Sequence, residues 1–197
     1  ELHKLYDIYN DYKGLNNAKT INDNAGIAPV KAAPELIDVI ELSKKWHEKT
    51  CNKVNISLGP VLNIWHNYRE EGIGNPNAAK LPSSEELKAA NVYTDINKIK
   101  IDKEQGTVFL EEQGMRIDLG AVAKGYATEL VAHEMEEQGY DSFLIISGGN
   151  VRTVGAPKAV NKTEWSIGIQ DPGEDGNHPN VNELLNVAYI KDAAMVS

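Results

Sequence analysis

The sequence predicts an α+β fold, a mixed and largely antiparallel sheet with helices packed against it. Hairpin patterns alternate with amphipathic helices without a regular strand–helix–strand rhythm, which argues against a doubly wound parallel sheet. The clearest hairpin pairs Ile99-Lys-Ile101 with Thr107-Val-Phe-Leu110 around Asp102-Lys-Glu-Gln-Gly106, with glycine in the loop. Further strand-like runs, Val151–Val154, Trp165–Ile169 and Leu184–Ile190, crowd the C-terminal part.

The other elements follow in order. A helix is expected from Glu1 to Tyr12, and Ile21-Asn-Asp-Asn-Ala-Gly26 carries the residues of a turn-rich loop. Pro34 suits a first helical position. Leu36, Val39, Ile40, Ser43 and Trp46/His47 then recur at helical spacing until about Thr50. Val54–Leu58 alternates as a strand does. Gly59-Pro60 breaks it, and Pro60 opens a short helix with Val61, Ile64 and Trp65 inward. Gly72–Leu81 reads as loop, and Ser83-Ser-Glu-Glu86 as the capping box of a helix to about Asn91. A short strand, Met115–Ile117, leads to a helix starting at Asp118, with Ala123, Ala127, Leu130, Val131 and Met135 on one side. Gly139 is placed to end it in a left-handed cap, and Phe143–Ile146 reads as a buried strand.

Bulk properties narrow the function. The chain has 197 residues, room for one large domain or two small ones, and a formal net charge of −9. That acidity argues against nucleic acid as a partner, since phosphate backbones are held by basic surfaces. No apolar run is long enough to span a bilayer, and no signal-peptide pattern is present. Cys51 is the single cysteine, so no internal disulfide forms, and no Cys/His set has zinc spacing. The five histidines, His3, His47, His66, His133 and His178, form no triad-like pattern with a serine or the cysteine.

The most informative stretch is Asp118-Leu-Gly-Ala-Val-Ala-Lys-Gly-Tyr-Ala127. It sets a carboxylate, small residues and Lys124 at an expected helix start, where unpaired N–H groups and the helix dipole favour anions. Such a corner suits a phosphate with its metal ion; it equally suits a capped amphipathic helix whose small residues pack closely. Ser147-Gly-Gly-Asn150 follows a strand and reads either as backbone N–H groups turned to a phosphate or as a tight turn. Asn55-Ile-Ser-Leu-Gly-Pro-Val-Leu-Asn-Ile-Trp65 offers Gly59 and Asn63 to a ligand and Trp65 to the core. Trp165-Ser-Ile-Gly-Ile-Gln-Asp-Pro172 is mainly structural, with Gly168 marking a bulge or close approach.

Taken in this order, Asn55–Pro60 with Trp65, Asp118–Ala127, Ser147–Asn150 and Trp165–Pro172 resemble the ApbE-type FAD:protein FMN transferase family. The resemblance implies a single domain over residues 1–197, incomplete at both termini. It implies a Mg²⁺-dependent enzyme that passes the FMN half of FAD to a threonine hydroxyl of an acceptor protein and releases AMP. The alternatives are an FAD pyrophosphatase giving FMN and AMP, or a non-catalytic FAD-binding protein or fragment. Residue by residue, Asp118 and Lys124 would contact FAD and the Ala121 carbonyl would ligate Mg²⁺. Leu58, Gly59, Pro60 and Asn63 would line the nucleotide pocket, with Gly148, Gly149 and Asn150 as a further wall.

The family's later segment, similar to His-Ile-x-Asp-Pro-x-Thr-Gly, supplies its catalytic histidine and metal-binding Asp and Thr. Neither that segment nor the family's opening Met-Gly-Thr strand occurs in these residues, so no general base is assigned. Family members are commonly lipid-anchored on the outer face of the bacterial inner membrane. The resemblance extends that location to this chain through an upstream anchor.

Overall fold

The computed structural model describes residues 2–173 and 180–196. Contacts divide the chain into two compact units, Glu1–Ala123 and Lys124–Ser197.

The first unit opens with α1 (Leu2–Leu5), much shorter than the helix expected to Tyr12. The Asp7 carboxylate ends it. Oδ1 accepts the Tyr9 and Asn10 N–H groups at 2.7 and 3.0 Å, and Oδ2 accepts from Asn10 Nδ2 and the Tyr12 hydroxyl at 2.9 and 2.7 Å. Side-chain capture of nearby N–H groups competes with helix in this way. The expected loop at Ile21–Gly26 is largely α2 (Ala18–Asp23). Its N-cap, Asn17, is fully buried and closes a capping box with Thr20. Ala18 and Ile21 fill the core, and Asn22 serves a distant segment rather than a turn.

β1 (Val30–Lys31) precedes α3 (Pro34–Lys49), which starts on proline as expected and buries Leu36, Val39, Ile40 and Ser43. The expected strand at Val54–Leu58 is instead a 3₁₀ turn, Ile56–Leu58, because the Asn55 side chain accepts from Ser57 N and caps it. That turn runs into α4 (Gly59–Gly74), a helix of 16 residues rather than a short one. α5 (Ser84–Asn91) carries the expected Ser83/Glu86 capping box. β2 (Ile99–Asp102) and β3 (Thr107–Leu110) form the expected hairpin, and β1 joins it antiparallel in the order β1-β3-β2. Ile99, Val108, Leu110, Ile117 and Leu119 close this core with α3 and Ile56.

Met115–Ile117 is extended but is not a strand. The Asn22 amide takes the part of a neighbouring strand, accepting from Ile117 N at 2.7 Å and donating to Ile117 O at 3.0 Å.

In the second unit, α6 (Ala123–Glu137) begins five residues later than expected, because Gly120–Val122 form a turn. It buries Thr128 and Ala132, whereas Val131 is exposed. Gly139, at φ +90°, supplies the left-handed position that ends it. β4 (Phe143–Ser147), β5 (Asn150–Val154) and β8 (Ala194–Met195) make an antiparallel sheet in the order β4-β5-β8. β4 is its edge, which is why the strand expected to be buried is half-buried, with Ile146 exposed. β5 is central and buries Val151, Thr153 and Val154. β6 (Trp165–Asp171) and β7 (Asn180–Ile190) form a two-stranded antiparallel hairpin with an irregularity at Ile169–Asp171. A Cβ at Gly168 would lie 2.9 Å from Leu184, the close approach its sequence position suggested. Every strand pairing among the described residues is antiparallel, in keeping with an α+β fold.

Candidate functional site

In the first unit the site is built around Asp118. Its N–H donates to Ile56 O at 2.8 Å, fixing the segment against the 3₁₀ turn. Its Oδ1 accepts from Gly120 N at 2.8 Å, an Asx turn that leads to the exposed Ala121. Asp118 is half-buried and, with Leu119, Gly120, Tyr6, Asp7, Ile8 and Tyr9, lines a cavity of about 330 Å³. The Arg116 guanidinium sits 5.7 Å from the Tyr9 ring centroid, and the other neighbour of that ring, His66, is 4.8 Å away. Arg116 also donates to Ile8 O at 2.9 Å, so a cation and two rings hold the loop that forms this wall. Burial pushes the Asp7 carboxyl up, but hydrogen bonds from Asn10, Tyr9 and Tyr12 outweigh it and hold the group down at about 2.

The corner after Ile56 is placed differently. Gly59 is buried, and a Cβ there would lie 2.3 Å from Arg116 O, so the residue must be glycine for α4 to approach this backbone. Pro60 and Asn63 line a second cavity of about 650 Å³ with Asn22, Ile64, Tyr93 and Arg116, not the one beside Asp118. Leu58 is half-buried and lines neither cavity. Trp65, expected in the core, is 43% exposed. The inward stripe of α4 runs through Pro60, Asn63 and Ile64, and a residue one step beyond Ile64 turns about 100° away from it.

In the second unit the site is the start of α6 beside the β4–β5 turn. Gly148 and Gly149, at φ +49° and +91°, form the two-residue turn that closes Ser147 onto Asn150. The tight-turn reading of this motif therefore holds, with the positive dihedrals on the glycines and not on Asn150. Lys124 Nζ donates to Gly148 O at 2.9 Å. Asn150 is 7% exposed and its Oδ1 has no hydrogen-bond partner. Arg152 clamps β5 to α6 through both oxygens of Glu129, at 2.7 and 3.0 Å. Its guanidinium holds the Glu129 carboxyl below the usual carboxylate range. Gly149 also lines a cavity of about 530 Å³ with Ile167–Pro172 and Met195, so the segment read as mainly structural borders open space.

A family model described as the ApbE family matches residues 1–197. The chain belongs to the ApbE family. It is 30% identical over 176 residues to an FAD:protein FMN transferase of Klebsiella pneumoniae, covering 87% of this chain and 51% of that protein. A Treponema pallidum protein of the same name is 29% identical over 188 residues, covering 90% of this chain and 49% of that protein. The chain thus spans about half the length of the curated relatives it matches. The fold is similar to that of an ApbE protein from Thermotoga maritima, with a TM-score of 0.76 and 24% identity over 98% of this chain and 57% of that one. It is also similar to the flavin transferase ApbE from Vibrio cholerae, with a TM-score of 0.74 and 20% identity over 98% and 57%. These solved structures establish the ApbE fold for this chain.

The N-terminal loop was missed by sequence reasoning because Leu2–Leu5 begins a helical pattern that the chain does not continue. The signal was there: Asp7-x-Tyr9-Asn10 sets an Asx-turn carboxylate beside aromatic residues. His47 and His133 serve local contacts. His47 Nδ1 is 2.8 Å from Val54 O, and His133 lies beside Glu129 and Glu136. His178 lies outside the described residues. Among the described residues no group of three or more His, Cys, Asp or Glu is arranged to hold a metal.

Proposed function

We propose that this chain carries the FAD-binding part of an FAD:protein FMN transferase, whose residues 1–197 work as one domain. The reading is supported by the family match over its whole length and by the names its relatives bear. The observation that carries it is the half-buried Asp118 carboxylate, held in a turn and lining a cavity.

In the reaction a threonine hydroxyl of an acceptor protein attacks the FMN-side phosphorus of FAD. The bond from that phosphorus to the bridging oxygen breaks, AMP leaves, and the hydroxyl proton passes to a base. With water as the attacking group the products are FMN and AMP, the pyrophosphatase alternative. Lys124, exposed at the start of α6, supplies a positive charge for a phosphate oxygen. Gly148–Asn150 form the wall beside it, and Asp118 contacts the dinucleotide from its own cavity. Leu58–Pro60 and Asn63 belong to the nucleotide pocket on this reading.

The oxygen donors present, the Asp118 carboxylate and the carbonyl of the exposed residue Ala121, are of the kind a hard cation such as Mg²⁺ takes, since it keeps several waters beside few protein ligands. Bound there, Mg²⁺ would supply Lewis-acid stabilisation of phosphate charge. An extracytoplasmic, lipid-anchored location belongs to the same reading; no described helix is long and apolar enough to cross a membrane.

The test incubates the full-length protein with FAD, Mg²⁺ and an acceptor protein, and follows AMP release and the mass of the acceptor. A flavin-mass adduct on a threonine is expected. AMP and free FMN without an adduct would establish the hydrolase, and FAD binding without turnover the non-catalytic form.

A further inference from the structure

Arg116 is tied to two cavities at once. It lines the one of about 650 Å³ with Pro60 and Asn63. Its guanidinium donates to Ile8 O at 2.9 Å and lies 5.7 Å from the Tyr9 ring centroid, and both Ile8 and Tyr9 line the Asp118 cavity of about 330 Å³.

The backbone that carries Arg116 is fixed. A Cβ on Gly59 would lie 2.3 Å from Arg116 O, Ile117 N–H and C=O are both bonded to the Asn22 amide, and Asp118 N–H is held on Ile56 O. The loop that Arg116 grips is less secure. Tyr9 is 49% exposed, and the loop's own bonds run from Tyr9, Asn10 and Tyr12 to the Asp7 carboxylate. Bonds to Asn17 and Lys19 join it only to adjoining parts of the chain. These contacts shape the loop without setting its distance from Asp118. The bond from Arg116 to Ile8 O crosses 108 residues of sequence and does set it. A planar guanidinium suits the task, because it can donate in its plane to a carbonyl while staying close to an aromatic ring.

We infer that Arg116 is a positioning residue: it holds Ile8 and Tyr9 at a set distance from Asp118, and so fixes the width of the Asp118 cavity without touching the ligand bound there. The inference rests on the reading of that cavity as part of an FAD site and adds the residue that sets its shape.

The experiment uses the full-length protein in two arms. The first, without ligand, follows amide hydrogen exchange in residues 6–12 of the wild type, Arg116→Met and Arg116→Lys. Exchange in this loop is expected to rise about tenfold in Arg116→Met, the worth of one hydrogen bond, while Ile99, Val108 and Leu110 exchange as in the wild type. Arg116→Lys should fall between the two, since an ammonium keeps the charge but lacks the planar fork. The second arm titrates FAD by flavin fluorescence against the wild type, both Arg116 variants, Tyr9→Leu and the double variant Tyr9→Leu/Arg116→Met. Arg116→Met should weaken FAD binding about fivefold or more, because apparent affinity scales with the fraction of molecules whose wall is in place. In the Tyr9→Leu background the same change should cost about twofold or less, because a residue that acts through Tyr9 has little left to act on. Equal loop exchange in the wild type and Arg116→Met would overturn the inference, as would equal FAD affinity. An undiminished loss in the Tyr9→Leu background would also overturn it, by showing that Arg116 meets FAD directly from the larger cavity. If Arg116→Met does not fold, Arg116→Lys carries both arms with smaller shifts. A wild type that binds no FAD refutes the FAD reading by itself, and the exchange arm still decides whether Arg116 holds the loop.

Discussion

Asp7 and Asn150 are both polar residues at a proposed nucleotide site, yet the chain treats them in opposite ways. Asp7 receives four hydrogen bonds from its own loop. Asn150 Oδ1 receives none and is nearly as buried as a core residue. A carboxylate whose acceptor sites are filled by neighbours builds the shape of a wall. An acceptor left unpaired inside a fold costs about 1–3 kcal/mol of stability. The contrast separates a polar side chain whose acceptors the fold fills from one whose acceptor it leaves unpaired.

The shape-building side breaks most readily at the backbone. Gly59→Val should destabilise the first unit by about 3 kcal/mol, since its Cβ would meet Arg116 O, a backbone atom that cannot turn aside. A melting temperature within a degree of wild type would show that α4 does not need this close approach. Asn22→Leu removes both bonds to the Ile117 peptide and leaves its N–H and C=O unpaired. About 2 kcal/mol of stability should be lost, measurable by urea unfolding.

Smaller in effect is Asp7. Its folded carboxyl is held at about 2, below the ordinary 3.8, so the stability it contributes is present above about pH 4. That stability drains away as the pH falls toward 2. Asp7→Asn should flatten this part of the pH–stability curve and leave the part above pH 4 parallel to wild type. Curves that run parallel down to pH 2 would show that Asp7 does not anchor the loop. At the start of α6, Lys124→Ala should weaken FAD binding about tenfold with little change in melting temperature, because the residue is exposed.

The sequence made the helices with strong punctuation legible: Pro34 opens α3, Ser83 and Glu86 cap α5, and Gly139 ends α6. The β2–β3 hairpin was equally plain. What failed was the reading of asparagine and aspartate. Asn22 reads as part of a turn, Asn55 as part of a strand, and Asn17 gives no signal, but each bonds backbone in the fold: Asn17 as a helix cap, Asn22 as a strand surrogate and Asn55 across to Thr94 O. Local composition cannot say which backbone a polar side chain will meet, because Asn22 and Ile117 are distant in sequence. The same gap hid the candidate site. Asp118, Lys124 and the Gly148–Asn150 turn were legible as motifs, whereas the Asp7–Tyr12 loop beside Asp118 depends on contacts with Arg116 and His66.

The most direct test of the account is a titration of FAD, with and without Mg²⁺, against the wild-type protein and Asp118→Asn. Mg²⁺ should tighten FAD binding to the wild type and have little effect on the variant, whose side chain keeps its size but loses the charge. An equal response to Mg²⁺ in both proteins would contradict the assignment of Asp118 to the dinucleotide and its cation.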